Sequence, residues 1–248
     1  MLSGPGGTGI RIPPRETMDP ATDAPRRPLL ALLLTVPVPS LGVLAGMFLW
    51  PGTPLGKALF LASKVWFFAF PAIWHRNVDR QPLGFSPARN GGFAAGWLTG
   101  LGISAFILAA NLLLGDRLLD PALLRERLRE VGLGTPGRFL AGALYWIAVN
   151  SVLEEYAWRW FCFRQCRALV PERAAVALAA LSFTLHHAVA LLALVPAGTA
   201  ALASAGVFSG AVIWSAMFAR YRSVWPGYLS HALVDAAIFG IAANVAFG

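Results

Sequence analysis

The chain has 248 residues, 57% of them hydrophobic and only 13% charged, with a mean hydropathy of +0.62, whereas soluble domains carry roughly 25% charged residues. Several apolar runs of about 20 residues exclude an ordinary soluble domain and specify an all-α, multi-pass membrane bundle. The net charge of +8 does not indicate nucleic acid, because the basic residues gather at helix ends, where the positive-inside rule places them.

Residues 1 to about 27 are rich in Gly, Pro, Thr and charge and are expected to form a disordered tail; Met18 is an alternative start. Arg26 and Arg27 precede a first span, Pro28 to Trp50, interrupted by Pro37 and Pro39. The run is long and ends without a small-x-small cleavage site, so it reads as retained and not as a signal peptide. A second span covers about Leu55 to Trp74, followed by a basic loop, His75 to Arg89, in which His75 reads as an interface anchor. A third span runs from about Gly92 to Leu114. From Asp116 to Val131, leucines alternate with Arg117, Arg125, Arg127 and Arg129 in a stretch too short and too charged to span. It is expected to lie along the membrane interface.

The fourth span, about Pro136 to Phe163, contains Glu154, Glu155 and Arg159. The fifth, Glu172 to Leu194, contains Phe183, His186 and His187; the sixth, Ala197 to Ala219, has few polar side chains. The seventh, about Val224 to Phe247, contains His231 and Asp235. The expected architecture is thus about seven transmembrane helices and one interfacial helix, residues 28–248, with a core at about 136–248. Basic residues at alternate connections put the N-terminus in the cytoplasm and the C-terminus outside, although the loop after the third span breaks the pattern. Cys162 and Cys166 are too few for a disulfide framework and read as packing or free thiols.

The fourth span is anomalous. A charge at mid-membrane costs about 2.5–3.5 kcal/mol on insertion scales, so its three charged residues together cost on the order of 8–10 kcal/mol. They must be paired or face a wet cavity, and such a cluster marks a functional site. At about 1.5 Å per residue, Glu154, His187 and His231 fall at overlapping depths on three helices. Glu155 and Arg159, four apart, share a face and can pair, while Glu154 points about 100° away, free to face a cavity. His231 and Asp235 are also four apart, as are Phe183 and His187; His186 is read as turned aside.

Glu-Glu-x-x-x-Arg, then Phe-x-x-x-His, then His-x-x-x-Asp on successive spans resembles the CAAX-protease and bacteriocin-processing family of intramembrane proteases, the type II CAAX prenyl endopeptidase or Abi family. The string Glu-Glu-Tyr-Ala-Trp-Arg-Trp-Phe also resembles the subset that processes C-terminal sorting signals. The resemblance implies a plasma-membrane endopeptidase acting on a membrane protein or peptide within the lipid bilayer. In it, Glu154 would be the general base and His187 would hold or polarise the water. His231 would donate to the oxyanion, Asp235 would orient its ring, and Glu155 and Arg159 would form a supporting pair. The family pattern often has Asn where this chain has Asp235. A divalent metal such as zinc on Glu154, His187, His231 and Asp235 is the alternative chemistry. His-Glu-x-x-His is absent, and Ser209, a formal nucleophile candidate, is better explained by a small-residue helix interface. Non-catalytic immunity-type and ion-coupled transport roles are the non-enzymatic alternatives.

Overall fold

The computed structural model describes residues 26–84 and 86–248; residues 1–25 of the expected disordered tail, Met18 among them, lie outside these, whereas Arg26 and Arg27, placed at the end of that tail, are helical. The described residues form eight helices and no strands. Six are long and apolar enough to cross a membrane: α1 (Arg27–Leu49), α2 (Pro54–Asn77), α3 (Phe93–Leu118), α6 (Glu172–Leu194), α7 (Ala197–Tyr221) and α8 (Trp225–Phe247). Between α3 and α6 lie the short α4 (Pro121–Glu130) and the rod α5, residues 136–169. Of the seven expected spans, α5 alone stands outside the six, because it carries the charged cluster. It is nonetheless a continuous helical rod, longer at about 1.5 Å per residue than a hydrocarbon core of about 30 Å.

Local chemistry sets where the helices begin. Prolines occupy the first turn of α2, α4, α5 and α8, where the missing N–H is not needed. Thr53 caps α2 by accepting from Gly56 N at 3.1 Å, and Asp120 caps α4 by accepting from Ala122 N and Leu123 N. That cap corrects the expected interfacial segment. Asp116 to Leu118 continue α3, so the amphipathic helix starts only at Pro121. Its Leu124 and Leu128 are buried against Phe139, Ala143 and Ala246.

Helix α8 packs extensively on α3, and α7 on α6. The first contact depends on glycines. A Cβ on Gly96 would lie 2.6 Å from Pro226 O, and one on Gly100 would lie 2.9 Å from Ser230 Cα. With the backbones this close, Ser104 Oγ donates to Leu233 O at 3.1 Å. At one end of the bundle, the α2–α3 connection is fastened to the α7–α8 turn. Asn90 donates to Tyr221 O, Val224 N donates to Ser86 Oγ, and Trp225 Nε1 donates to Ser86 O. Near that end His75 is buried, paired with Asp79 at 3.4 Å and set edge-on to Trp160, so it is a packed residue and not an exposed anchor.

The close α3–α8 approach predicts that Gly100→Ala lowers stability by about 1–3 kcal/mol through overpacking. Gly102, whose added Cβ meets nothing within 4 Å, is the control. Thermal unfolding in detergent checks this: equal midpoints for the two alanine variants would contradict it.

Candidate active site

Rod α5 departs from regular α-geometry twice. Wide π-type turns at Trp146–Asn150 and Tyr156–Phe163 bracket the single α-turn Ser151–Glu155 that carries both glutamates. Such turns occur most often at functional sites. The first leaves the Trp146 carbonyl within 2.8 Å of Ser151 Oγ, five residues on.

Glu155 faces the protein interior. Its Oε1 lies 3.2 Å from Arg159 Nη1 and 3.1 Å from His231 Nδ1, with all three residues buried. Since a carboxylate only accepts, His231 Nδ1 carries a proton. The contact with Arg159 is one of charge without an aligned hydrogen bond. Among the described residues, no guanidinium nitrogen of Arg159 has a hydrogen-bond partner. The guanidinium lies instead over the Phe183 ring at 4.4 Å and near Trp214 at 5.3 Å, which attract it through their π faces. Gly227 makes room opposite, where a Cβ would lie 2.6 Å from Glu155 Oε2.

Glu154 faces another way. Its Oε1 is 3.5 Å from His186 Nε2 and 3.8 Å from Lys64 Nζ, and its Oε2 is 3.9 Å from His231 Nε2. These separations exceed a direct charge-assisted bond of about 2.7–2.9 Å, so the contacts around Glu154 are charge contacts and not close hydrogen bonds. His231 Nε2 is also 3.6 Å from Asp235 Oδ2, which in turn is 2.6 Å from Ser151 Oγ. His187 Nδ1 lies 3.0 Å from Phe183 O. A carbonyl cannot donate, so Nδ1 carries a proton and Nε2 is the ring nitrogen left for other partners.

Aromatic faces hold the imidazoles. Trp158 stacks on His186 at 5.3 Å and 9°, Trp214 on His231 at 4.2 Å and 17°, and Phe183 lies 4.3 Å from His187. Trp214 is itself fixed by donating to Ser230 Oγ at 3.0 Å.

Glu154, Glu155, Arg159, His187, His231 and Asp235 thus converge from α5, α6 and α8. His186 is a correction: expected to turn aside, it approaches Glu154 and is buried. Glu154, His186 and His187 each bring a ligand atom within 4.8 Å of the others. This is the two-imidazole, one-carboxylate donor set of catalytic zinc, and the Phe183 carbonyl on His187 Nδ1 is the usual outer support of a ligating ring. The donor chemistry of these three residues would suit such an ion, and the group shares Glu154 and His187 with the expected set. His231 turns Nδ1 to Glu155, and Asp235 is engaged by Ser151. Lys64, Ser151, Trp158 and Trp214 also belong to the site and were not anticipated. Ser209 is exposed and donates to its own helix at Ala205 O, so it is neither a nucleophile beside His231 nor a buried helix contact.

Residues 136–237 match the family model described as Type II CAAX prenyl endopeptidase Rce1-like. No curated protein and no solved structure matches the chain.

The buried pair generates a stability prediction. Removing the guanidinium with Arg159→Met leaves the buried Glu155 with His231 as its remaining partner and should cost about 3–5 kcal/mol. Adding Glu155→Gln to that variant should recover most of the loss. Chemical unfolding in detergent measures both, and a single variant as stable as the parent would refute the pairing.

Proposed function

From the match of residues 136–237 to the type II CAAX prenyl endopeptidase Rce1-like family model, we propose that this chain is an intramembrane endopeptidase. It hydrolyses a peptide bond in a membrane-associated protein or peptide, at a C-terminal processing or sorting signal, with water activated by Glu154. One observation carries the reading. The Glu154 carboxylate is buried and flanked by imidazoles from two other helices, 3.5 Å from His186 and 3.9 Å from His231.

In this reaction Glu154 takes a proton from water as the oxygen bonds to the scissile carbonyl carbon, and the carbonyl electrons move to an oxyanion. His231, doubly protonated, directs an Nε2–H toward that charge while Glu155 holds Nδ1. Asp235, fixed by Ser151, orients the same ring. Glu154 then returns its proton to the amine as the C–N bond breaks. His187, with its proton on Nδ1, presents a lone pair that orients the water, and His186 holds the other side of Glu154. The family match and the convergence of these groups from α5, α6 and α8 support the assignment. A zinc-class ion on Glu154, His186 and His187 would supply Lewis-acid polarisation when bound, a second reading favoured by the spacing of their ligand atoms.

The protease resides in the plasma membrane with its N-terminus in the cytoplasm. That orientation is supported by Arg76, Arg80, Arg89, Arg164, Arg167, Arg173, Arg220 and Arg222, which flank the helix ends or connections on that side.

Glu154→Gln should lower the cleavage rate about 10²–10⁴-fold, the usual scale for losing a general base, while leaving a folded, inserted protein. Mass spectrometry of membrane-protein termini, with the parent or the variant present, checks this. Identical termini in the two samples would refute the assignment. The metal question has its own measurement: purified protein stripped by chelator, its metal content verified, is tested for cleavage. Activity that survives stripping supports metal-free water activation. Activity lost and restored by zinc supports the ion.

A further inference from the structure

Lys64 stands near the middle of α2, ten residues after Pro54 and thirteen before Asn77. At about 1.5 Å per residue, that is roughly 15 Å from the nearer helix end. A lysine at such depth costs about 2.5–3.5 kcal/mol on insertion scales, and its stem is too short to carry the ammonium to the interface. The side chain instead runs inward between Phe60 and Phe68, whose ring centroids lie 5.9 and 5.6 Å from Nζ. It donates to Asn150 Oδ1 at 3.1 Å and stops 3.8 Å from Glu154 Oε1. Asn150 is buried and closes the first wide turn of α5. Among the described residues, this is the one ion pair between α2 and α5, and α2 lies outside the 136–237 match.

Resting on the proteolytic reading above, we propose that Lys64 is a positioning residue of the site, fixing the Glu154 carboxylate from a helix outside the family core. Three observations support the role. The lysine is 18% exposed and Glu154 4%, so the ammonium stands on the outer side of the carboxylate. Oε1 is drawn toward Lys64 and His186, which leaves Oε2 toward His231, where the proposed oxyanion donor lies. The bond to Asn150 ties the ammonium to the same rod that carries Glu154, so cation and carboxylate keep one register.

A role in orientation acts on the chemical step and not on substrate affinity. The full-length protein in proteoliposomes is assayed with two quenched fluorogenic probes, a farnesylated C-terminal peptide and a single-span peptide. Lys64→Met should lower kcat about 10–100-fold, the range typical of outer supporting contacts, with KM changed less than about twofold. Lys64→Gln, which keeps a donor for Asn150 but no charge, should be similarly slow. Lys64→Arg should recover most of the rate. Thermal unfolding of the three variants fixes the temperature at which all are fully folded, and kcat is compared there, so that any stability lost with the buried ion pair is separated from the loss of rate. The proposal is overturned if Lys64→Met keeps the parental kcat, if only KM rises, or if Arg is no better than Met. Glu154→Gln run alongside separates the two claims. A dead Glu154→Gln beside a fully active Lys64→Met removes only the role of Lys64, whereas an active Glu154→Gln removes the proteolytic reading as well.

Discussion

The structure turns on keeping two adjacent carboxylates inside a membrane bundle. Glu154 and Glu155 are neighbours in sequence, and neither reaches bulk water. The bundle separates them. Glu155 receives a fixed cation, Arg159, from one turn further along the same rod, and Glu154 receives one, Lys64, from a different helix. His231 lies between the two acids, touching Glu155 with one ring nitrogen and facing Glu154 with the other. Isolated buried charges are prohibitive, and the remaining contacts of the site follow from how this set is neutralised.

Neutralisation here relies heavily on aromatic faces. The guanidinium of Arg159 makes no aligned hydrogen bond among the described residues and sits against Phe183 and Trp214. The same two rings flank His231, and Phe183 also lies against His187. One phenyl ring therefore lies against the supporting cation and three imidazoles, those of His186, His187 and His231, and the aromatic cluster is part of the chemical environment as well as the core. Its apolar surroundings strengthen each charge contact within it.

Much of this was legible in the sequence, because intramembrane charge is costly and helical spacing is regular. Glu154, Glu155 and Arg159 were conspicuous in an apolar rod, and the i,i+4 pairs Glu155–Arg159 and His231–Asp235 meet as that spacing requires. The seven-rod plan was legible for the same reason. His186 was misread because a 100° step per residue was taken to send neighbouring rings to different places. Both imidazoles are large enough to reach one carboxylate from adjacent positions, their centroids only 4.0 Å apart. Lys64 was passed over because a single basic residue in an otherwise apolar span does not betray its partner, which lies 90 positions on at Glu154. The wide turns of α5 leave no mark in composition or periodicity, so Ser151, whose hydroxyl reaches the carbonyl five residues back, could not be placed. Trp214 lies in the apolar sixth span, where nothing in the surrounding sequence marks it.

The fastening of the α2–α3 connection to the α7–α8 turn has a bearing on what counts as a unit of this protein. Ser86 accepts the main-chain N–H of Val224 and the indole N–H of Trp225 immediately before and at the start of the helix that bears His231. The region ahead of residue 136 is thus no detachable cover. It holds down the base of the helix that bears His231 and lends a charge to the one that bears Glu154. A fragment cut to the matched residues 136–237 would inherit every motif residue and still be incomplete, lacking both its anchor and its counter-ion.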